Sequence, residues 1–195
     1  MYRLKDDEIL FVFTGPHGAG RKTVAEMSGA TLGVKQVLSY TTRPPRPTEV
    51  EGQDYRFISP VEFFNAQSKG EFLEVMQTDS HFYGVKSQDV ANMLHDRGSA
   101  FLILNAEGAT KLKDLYGDKL VRIMIYVDRK TLVQRMKENG ESDADIERYN
   151  SHYDSSVAYR SECEHSFENV DLAHTVFDLT KTLDTYLNRN LVDMD

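Results

Sequence analysis

Arg43 and Arg46, separated by two prolines, are the residues in this sequence best suited to gripping an anion. Proline fixes φ and denies the segment a helix. Two guanidinium groups on such a stiff loop can hold a phosphate through paired hydrogen bonds. Ser39 and Tyr55 bracket the pair with hydroxyls. The plain alternative is an exposed turn with two solvated arginines.

A second anion-directed segment lies upstream, Gly15-Pro16-His17-Gly18-Ala19-Gly20-Arg21-Lys22-Thr23. It follows the apolar run Ile9–Thr14, and a helix is expected from near Lys22 to about Ser28. Strand, glycine loop and helix form a phosphate cradle, because backbone N–H groups converge beside the positive end of the helix. The strict pattern is G-x-x-x-x-G-K-[ST]. Gly15 and Gly20 fit it, but Arg21 holds the lysine position, and Lys22-Thr23 resembles the Lys-Ser/Thr pair displaced by one. A structural glycine turn is the alternative.

The elements that must position these groups follow from apolar patterning. Short buried strands are expected at Ile9–Thr14, Val34–Ser39, Tyr55–Ile58, Phe72–Gln77, Ala100–Leu104, Leu120–Val127 and Thr175–Leu179. Ser59-Pro60-Val61-Glu62 starts a helix with a capping box and a proline at its first position. Further helices are expected from Ser87 as cap to Gly98, Glu107–Leu115, Arg129–Glu138, most of Ile146–Val170, and Thr180 as cap to about Asn190. Phe82-Tyr83-Gly84 places a phenol beside a turn. Glu74 lies in a half-buried strand, as either an ordinary exposed residue or an acceptor for a purine N–H or amino group. Alternation of strands with helices predicts a parallel α/β sheet covered on both faces, with ligands at the carboxyl ends of its strands.

The chain has 195 residues, 40% hydrophobic and 28% charged, which fits a soluble globular protein of about one domain. Its net charge of −8 argues against a general nucleic-acid binder, so a phosphorylated ligand must meet a local basic pocket. No apolar run approaches the ~18 residues of a membrane span, and the amino terminus lacks an apolar signal core. The single Cys163 cannot form an internal disulfide, and no Cys/His cluster has metal-ligand spacing. A cytoplasmic setting is expected, with no nucleic-acid or membrane partner.

Taken together, the glycine loop, Ser39-x-Thr-Thr-Arg43-x-x-Arg46, Glu49, Gly52, Tyr55, Glu74, Tyr83-Gly84 and a helix centred on Arg135 resemble the guanylate kinase family over nearly the whole chain. The resemblance implies a P-loop nucleoside monophosphate kinase fold: a parallel sheet core flanked by helices, a small mixed α/β GMP-binding insertion and a helical lid. The core would comprise residues 1–38, 87–137 and 160–195, the insertion 39–86 and the lid 138–159. Insertion and lid are expected to close over the core. The implied activity is ATP-dependent phosphorylation of GMP, with Mg²⁺ accompanying ATP. ATP would lie on Gly15, Pro16, His17, Gly18, Ala19, Gly20, Arg21, Lys22 and Thr23, with Thr23 the one candidate metal ligand. GMP would be held by Ser39, Arg43, Arg46, Tyr55, Glu74, Tyr83 and Asn105. Arg21, Lys22, Arg135 and Arg148 would be the catalytic cations.

Several residues depart from the family pattern. Ile103 and Asn105 stand where the family has an Asp-x-Asp pair, and Val85 where a small hydroxyl residue meets the base. Asn139-Gly140 replaces Arg-Gly, and Tyr149 replaces a lid arginine, with Arg148 one position early. The departures concentrate in the ATP and transfer half. They imply weakened transfer or, alternatively, an inactive domain that binds GMP, a phosphorylated ligand or a phosphorylated partner through the acceptor pocket.

Overall fold

The computed structural model describes residues 2–78 and 80–187. The apolar run forms β1 (Ile9–Thr14), followed by the glycine loop and α1 (Arg21–Leu32). Then come β2 (Lys35–Gln36), β3 (Tyr40–Thr41), β4 (Arg56–Phe57), α2 (Pro60–Ser68), β5 (Phe72–Thr78) and β6 (His81–Lys86). The chain continues through α3 (Ser87–Arg97), β7 (Ser99–Ile103), α4 (Ala106–Tyr116) and β8 (Leu120–Tyr126). It finishes with α5 (Arg129–Glu138), α6 (Asp143–Ser151), α7 (Tyr153–Ala158), β9 (His165–Glu168) and α8 (Leu172–Leu187).

Two sheets result. The larger has the order β2-β7-β1-β8-β9, and every pairing in it is parallel. Its central strand shows why both faces must be covered. Leu10 and Val12 enter one apolar cluster, with Leu94 of α3 and Leu112 of α4. Phe11 and Phe13 point the other way, into a cluster with Val24 of α1 and Leu179 of α8. Side chains alternate along a strand, so a run that is apolar at every position needs helices on both sides. The smaller sheet, β4-β3-β6-β5, is mixed and carries α2. A third cluster, Val127, Leu132, Met136 and Ile146, seats α6 against α5. No helix among the described residues is long and apolar enough to cross a membrane.

The parallel core and the capping box hold: Ser59 Oγ accepts from Glu62 N–H at 3.2 Å, and Glu62 accepts from Ser59 N–H at 2.8 Å. Other expectations are corrected. Thr175–Leu179 is not a strand but lies inside α8, where Thr175, Leu179 and Leu183 bury one face at helical spacing. Thr180 does not cap it, since its hydroxyl donates to Val176 O within the helix at 2.7 Å. Asp171 does that work, accepting from His174 N–H at 2.8 Å. The expected helix end near Asn190 lies outside the described residues. The last strand of the main sheet is instead β9, polar on alternate residues and paired with β8 at the edge. The segment Ile146–Val170 is helical up to Glu162, in α6, α7 and a 3-10 turn over Tyr159–Glu162, and then becomes a strand. Val34–Ser39 divides between the two sheets, as β2 and the approach to β3. Phe82-Tyr83-Gly84 is strand, not turn. Ser87 opens α3 rather than capping it, and α1 runs to Leu32, stopped by Gly33.

Candidate active site

A cavity of about 540 Å³ opens beyond the carboxyl ends of β1 and β7, between the main sheet, the smaller sheet and α6. Gly15, His17 and Arg21 line it from the glycine loop. Ser39, Arg43, Arg46, Tyr55, Glu74 and Tyr83 line it from the smaller sheet and its loops. Asn105, Arg148 and Tyr149 complete the wall. The acceptor residues expected from sequence are therefore brought together.

Glu74 owes its direction to a β-bulge. The register of β5 against β6 shifts between Phe72 and Glu74, so Glu74 no longer shares the face of Phe72, and ordinary alternation then places Glu74 and Met76 together on a buried face. Glu74 is 4% exposed. Neither carboxylate oxygen has a hydrogen-bond partner. Burial pushes its pKa up to about 7; Lys111 opposes this and Glu107 adds to it. Gly108 of α4 leaves the room, since a Cβ there would lie 3.2 Å from Glu74 Oε1. Asn105 caps α4 by accepting from Gly108 N–H at 2.9 Å, so its oxygen is engaged while it lines the cavity. Val85 does not reach the cavity; it is fully buried in the apolar core.

Arg43 is fixed by Glu49, which accepts from Nη1 and Nη2, each at 2.8 Å. Burial works against the guanidinium's charge, but hydrogen bonds to Glu49 and Tyr83 outweigh it and raise the pKa. The guanidinium carbon lies 5.4 Å from the centre of the Tyr55 ring, and Nε is buried without a partner. The phenols of Tyr55 and Tyr83 approach edge to face, 6.1 Å between centres. Arg46 sits on the outer side, its Nη2 donating to the Tyr149 hydroxyl.

The glycine loop needs glycine at two of its positions. Gly15 has φ +130°, and a Cβ there would lie 2.0 Å from Ile125 O. Gly20 has φ +86°, and its Cβ would lie 2.7 Å from Asn169 Nδ2. Arg21, the first residue of α1, faces the cavity. Burial depresses its pKa against the favourable pull of Tyr55 and Tyr149, and no carboxylate among the described residues pairs with it. Lys22 turns away from the cavity. Its Nζ donates to Gln53 O at 3.0 Å and to the Asp54 carboxylate, and lies 3.6 Å from Glu26. Thr23 is exposed on α1 and does not line the cavity. A magnesium ion beside the loop would therefore find an occupied ammonium where the family places a hydroxyl. No group of three or more His, Cys, Asp or Glu side chains could hold a metal among the described residues.

Among the remaining expected cations, Arg148 lines the cavity, with Nη2 donating to Asp145 at 2.5 Å and to Tyr149 at 3.2 Å. Arg135 does not; it donates to Asn169 O at 2.8 Å and ties α5 to the loop after β9. Sequence reasoning did not single out Asp54 or Glu141, and gave Glu49 no partner. Asp54 holds Lys22, Glu49 carries Arg43, and Glu141 holds His17 Nε2 at 2.9 and 3.0 Å. The Glu141–His17 link spans 124 positions and leaves no local signal. Glu49 was legible only as family spacing.

Parallel core, glycine loop at its first strand, a small mixed sheet bearing paired arginines, and a helical flap over both define a P-loop nucleoside monophosphate kinase. A family model described as guanylate kinase matches residues 8–189. The guanylate kinase of Lactobacillus acidophilus is 33% identical over 147 residues, 74% of this chain and 72% of that protein. That of Wolbachia sp. subsp. Brugia malayi is 28% identical over 184 residues, 93% and 94% of the two chains. The chain belongs to the guanylate kinase family. The crystal structure of guanylate kinase from Anaplasma phagocytophilum shares the fold, with TM-score 0.75 at 21% identity over 94% of this chain and 88% of that one.

Proposed function

We propose that this protein transfers the γ-phosphoryl group of ATP to GMP, giving ADP and GDP, at a rate lowered by the residues at positions 21, 22 and 149. The observation that carries the reading is Glu74, a buried carboxylate with two unpartnered oxygens in a cavity that also holds Arg43 and Arg46. Buried polar groups are normally satisfied, and guanine offers a ring N–H and an amino group side by side. Adenine lacks that pair of donors and would leave the carboxylate unsatisfied, which is how such sites discriminate strongly. Ionised Glu74 would take the base, and Arg43, Arg46, Tyr55 and Tyr83 would hold the acceptor phosphate.

On the donor side, the backbone of the glycine loop and Arg21 would hold the ATP phosphates. Phosphoryl transfer rests on positioning and charge, and Arg21 supplies charge with a planar group in place of an ammonium. Magnesium would accompany ATP without a side-chain oxygen from this loop. Insertion and lid would close over the core and exclude water from the transferring group.

A second reading, favoured by the Lys22–Asp54 pair and the outward engagement of Arg135, is a protein that binds GMP, a phosphorylated ligand or a phosphorylated partner without transfer. A coupled ATP-plus-GMP assay on wild type and Arg21→Lys, with GMP calorimetry, decides between them. Slow wild-type turnover that rises in Arg21→Lys supports the enzyme. No turnover in either with GMP still bound sinks it, and no GMP binding at millimolar ligand sinks the acceptor site as well.

A further inference from the structure

Tyr149 touches all three parts of the site at once. Its phenol oxygen accepts from Arg46 Nη2 and lies 3.2 Å from Arg148 Nη2. Its ring stacks on the His17 imidazole, 3.9 Å between centres and 24° from parallel. Glu141, just ahead of α6, fixes His17 from the other side. The result is one continuous path from the acceptor arginine through the lid to the glycine loop.

We propose that Tyr149 is an internal stand-in for the acceptor phosphate, an autoinhibitory latch that the phosphorylated acceptor itself releases. The proposal rests on the acceptor-site reading above. A phenol oxygen satisfies one Arg46 N–H, as a phosphate oxygen does, but without a full negative charge. The bond to the phenol carries a charge on Arg46 alone, whereas a bond to a phosphate pairs opposite charges on both partners and can be bidentate, so a phosphate displaces the phenol. The ring and the hydroxyl belong to one stiff side chain, so losing the Arg46 contact draws the ring off His17. Acceptor binding thereby uncovers the glycine loop for the donor, and the two sites are coupled through a two-state element. A nucleoside without a phosphate has nothing to offer Arg46 and leaves the latch in place.

Calorimetry with GMP and with guanosine, on wild type and Tyr149→Phe, tests this. Phenylalanine keeps the aromatic ring and removes the oxygen that Arg46 holds. GMP is expected to bind Tyr149→Phe about three- to tenfold more tightly than wild type, since a competing hydrogen bond is gone. Guanosine affinity is expected to stay the same. In wild type, proton NMR of the His17 ring should move downfield on adding GMP, as the Tyr149 ring current is withdrawn, and stay put with guanosine. Equal GMP affinity in both chains, a parallel gain for guanosine, or unmoved His17 signals at saturating GMP would overturn the latch and leave the acceptor site standing. GMP binding to neither chain would overturn both.

Discussion

Glu74→Gln removes a charge whose burial is a cost to the fold. In wild type the folded pKa is about 7 against the 4.5 of an ordinary glutamate, and the residue is 4% exposed. A carboxyl whose pKa is raised by folding contributes stability below 4.5 that is lost as pH rises through 7. The gap between 4.5 and about 7, at about 1.4 kcal/mol per pH unit, comes to about 3.5 kcal/mol at high pH. Roughly 2.5 kcal/mol of that develops between pH 5 and pH 8. Urea unfolding of both chains at those two pH values reads it directly. The variant is expected to gain on wild type by roughly 2 kcal/mol or more on going from pH 5 to pH 8. Binding should move the other way. Guanosine, which has no phosphate to titrate, should bind wild type about tenfold better at pH 8 than at pH 6, because the ionised carboxylate is the acceptor. The variant should show neither the gain nor the pH dependence. A stability difference between the chains that is identical at the two pH values would refute the account of Glu74 as a buried, unsatisfied acid.

Two further perturbations probe the scaffold. Glu49→Ala strips the partner from Arg43 in a pair whose side chains are each 11% exposed, and is expected to cost about 3 kcal/mol in urea unfolding, together with most GMP affinity by calorimetry. Gly15→Ala drives a Cβ to 2.0 Å from Ile125 O at φ +130° and should cost about 4 kcal/mol, whereas Gly140→Ala, at φ +73° with nothing within 4 Å, should cost only about 1–2 kcal/mol; melting temperatures of the two variants compare them.

Sequence patterning captured what depends on local or strictly periodic signals. Ile9–Thr14, Leu120–Val127 and Arg129–Glu138 were legible because each is long and consistently apolar or amphipathic. Ser59–Glu62 was legible because a capping box is a local contact. β9 was not, since an edge strand of four residues with two exposed carries too little apolar signal to be told from helix. Thr175 and Val176 suggested a strand through their β-branches, but the four-residue spacing of Thr175, Leu179 and Leu183 prevailed in the fold. In the site, the types of Arg43, Arg46 and Glu74 announced their chemistry. The direction of Lys22 did not, because it is set by Asp54, 32 positions away. Nor did the bulge that turns Glu74 inward, which exists only once β6 is paired.

The Lys22–Asp54 pair has a consequence for how this glycine loop could change over generations. Replacing Lys22 by serine would restore the usual hydroxyl, but would strip the ammonium from an Asp54 carboxylate that burial already disfavours in its charged form. Replacing Asp54 alone would leave the Lys22 ammonium with only Gln53 O and Glu26 and undo the turn that Asp54 stabilises by accepting from Val50 N–H at 2.8 Å. Contacting residues couple rather than add, so the two positions are epistatic. Restoring a hydroxyl at position 22 is therefore a two-step walk whose first step leads downhill in stability whichever residue moves first.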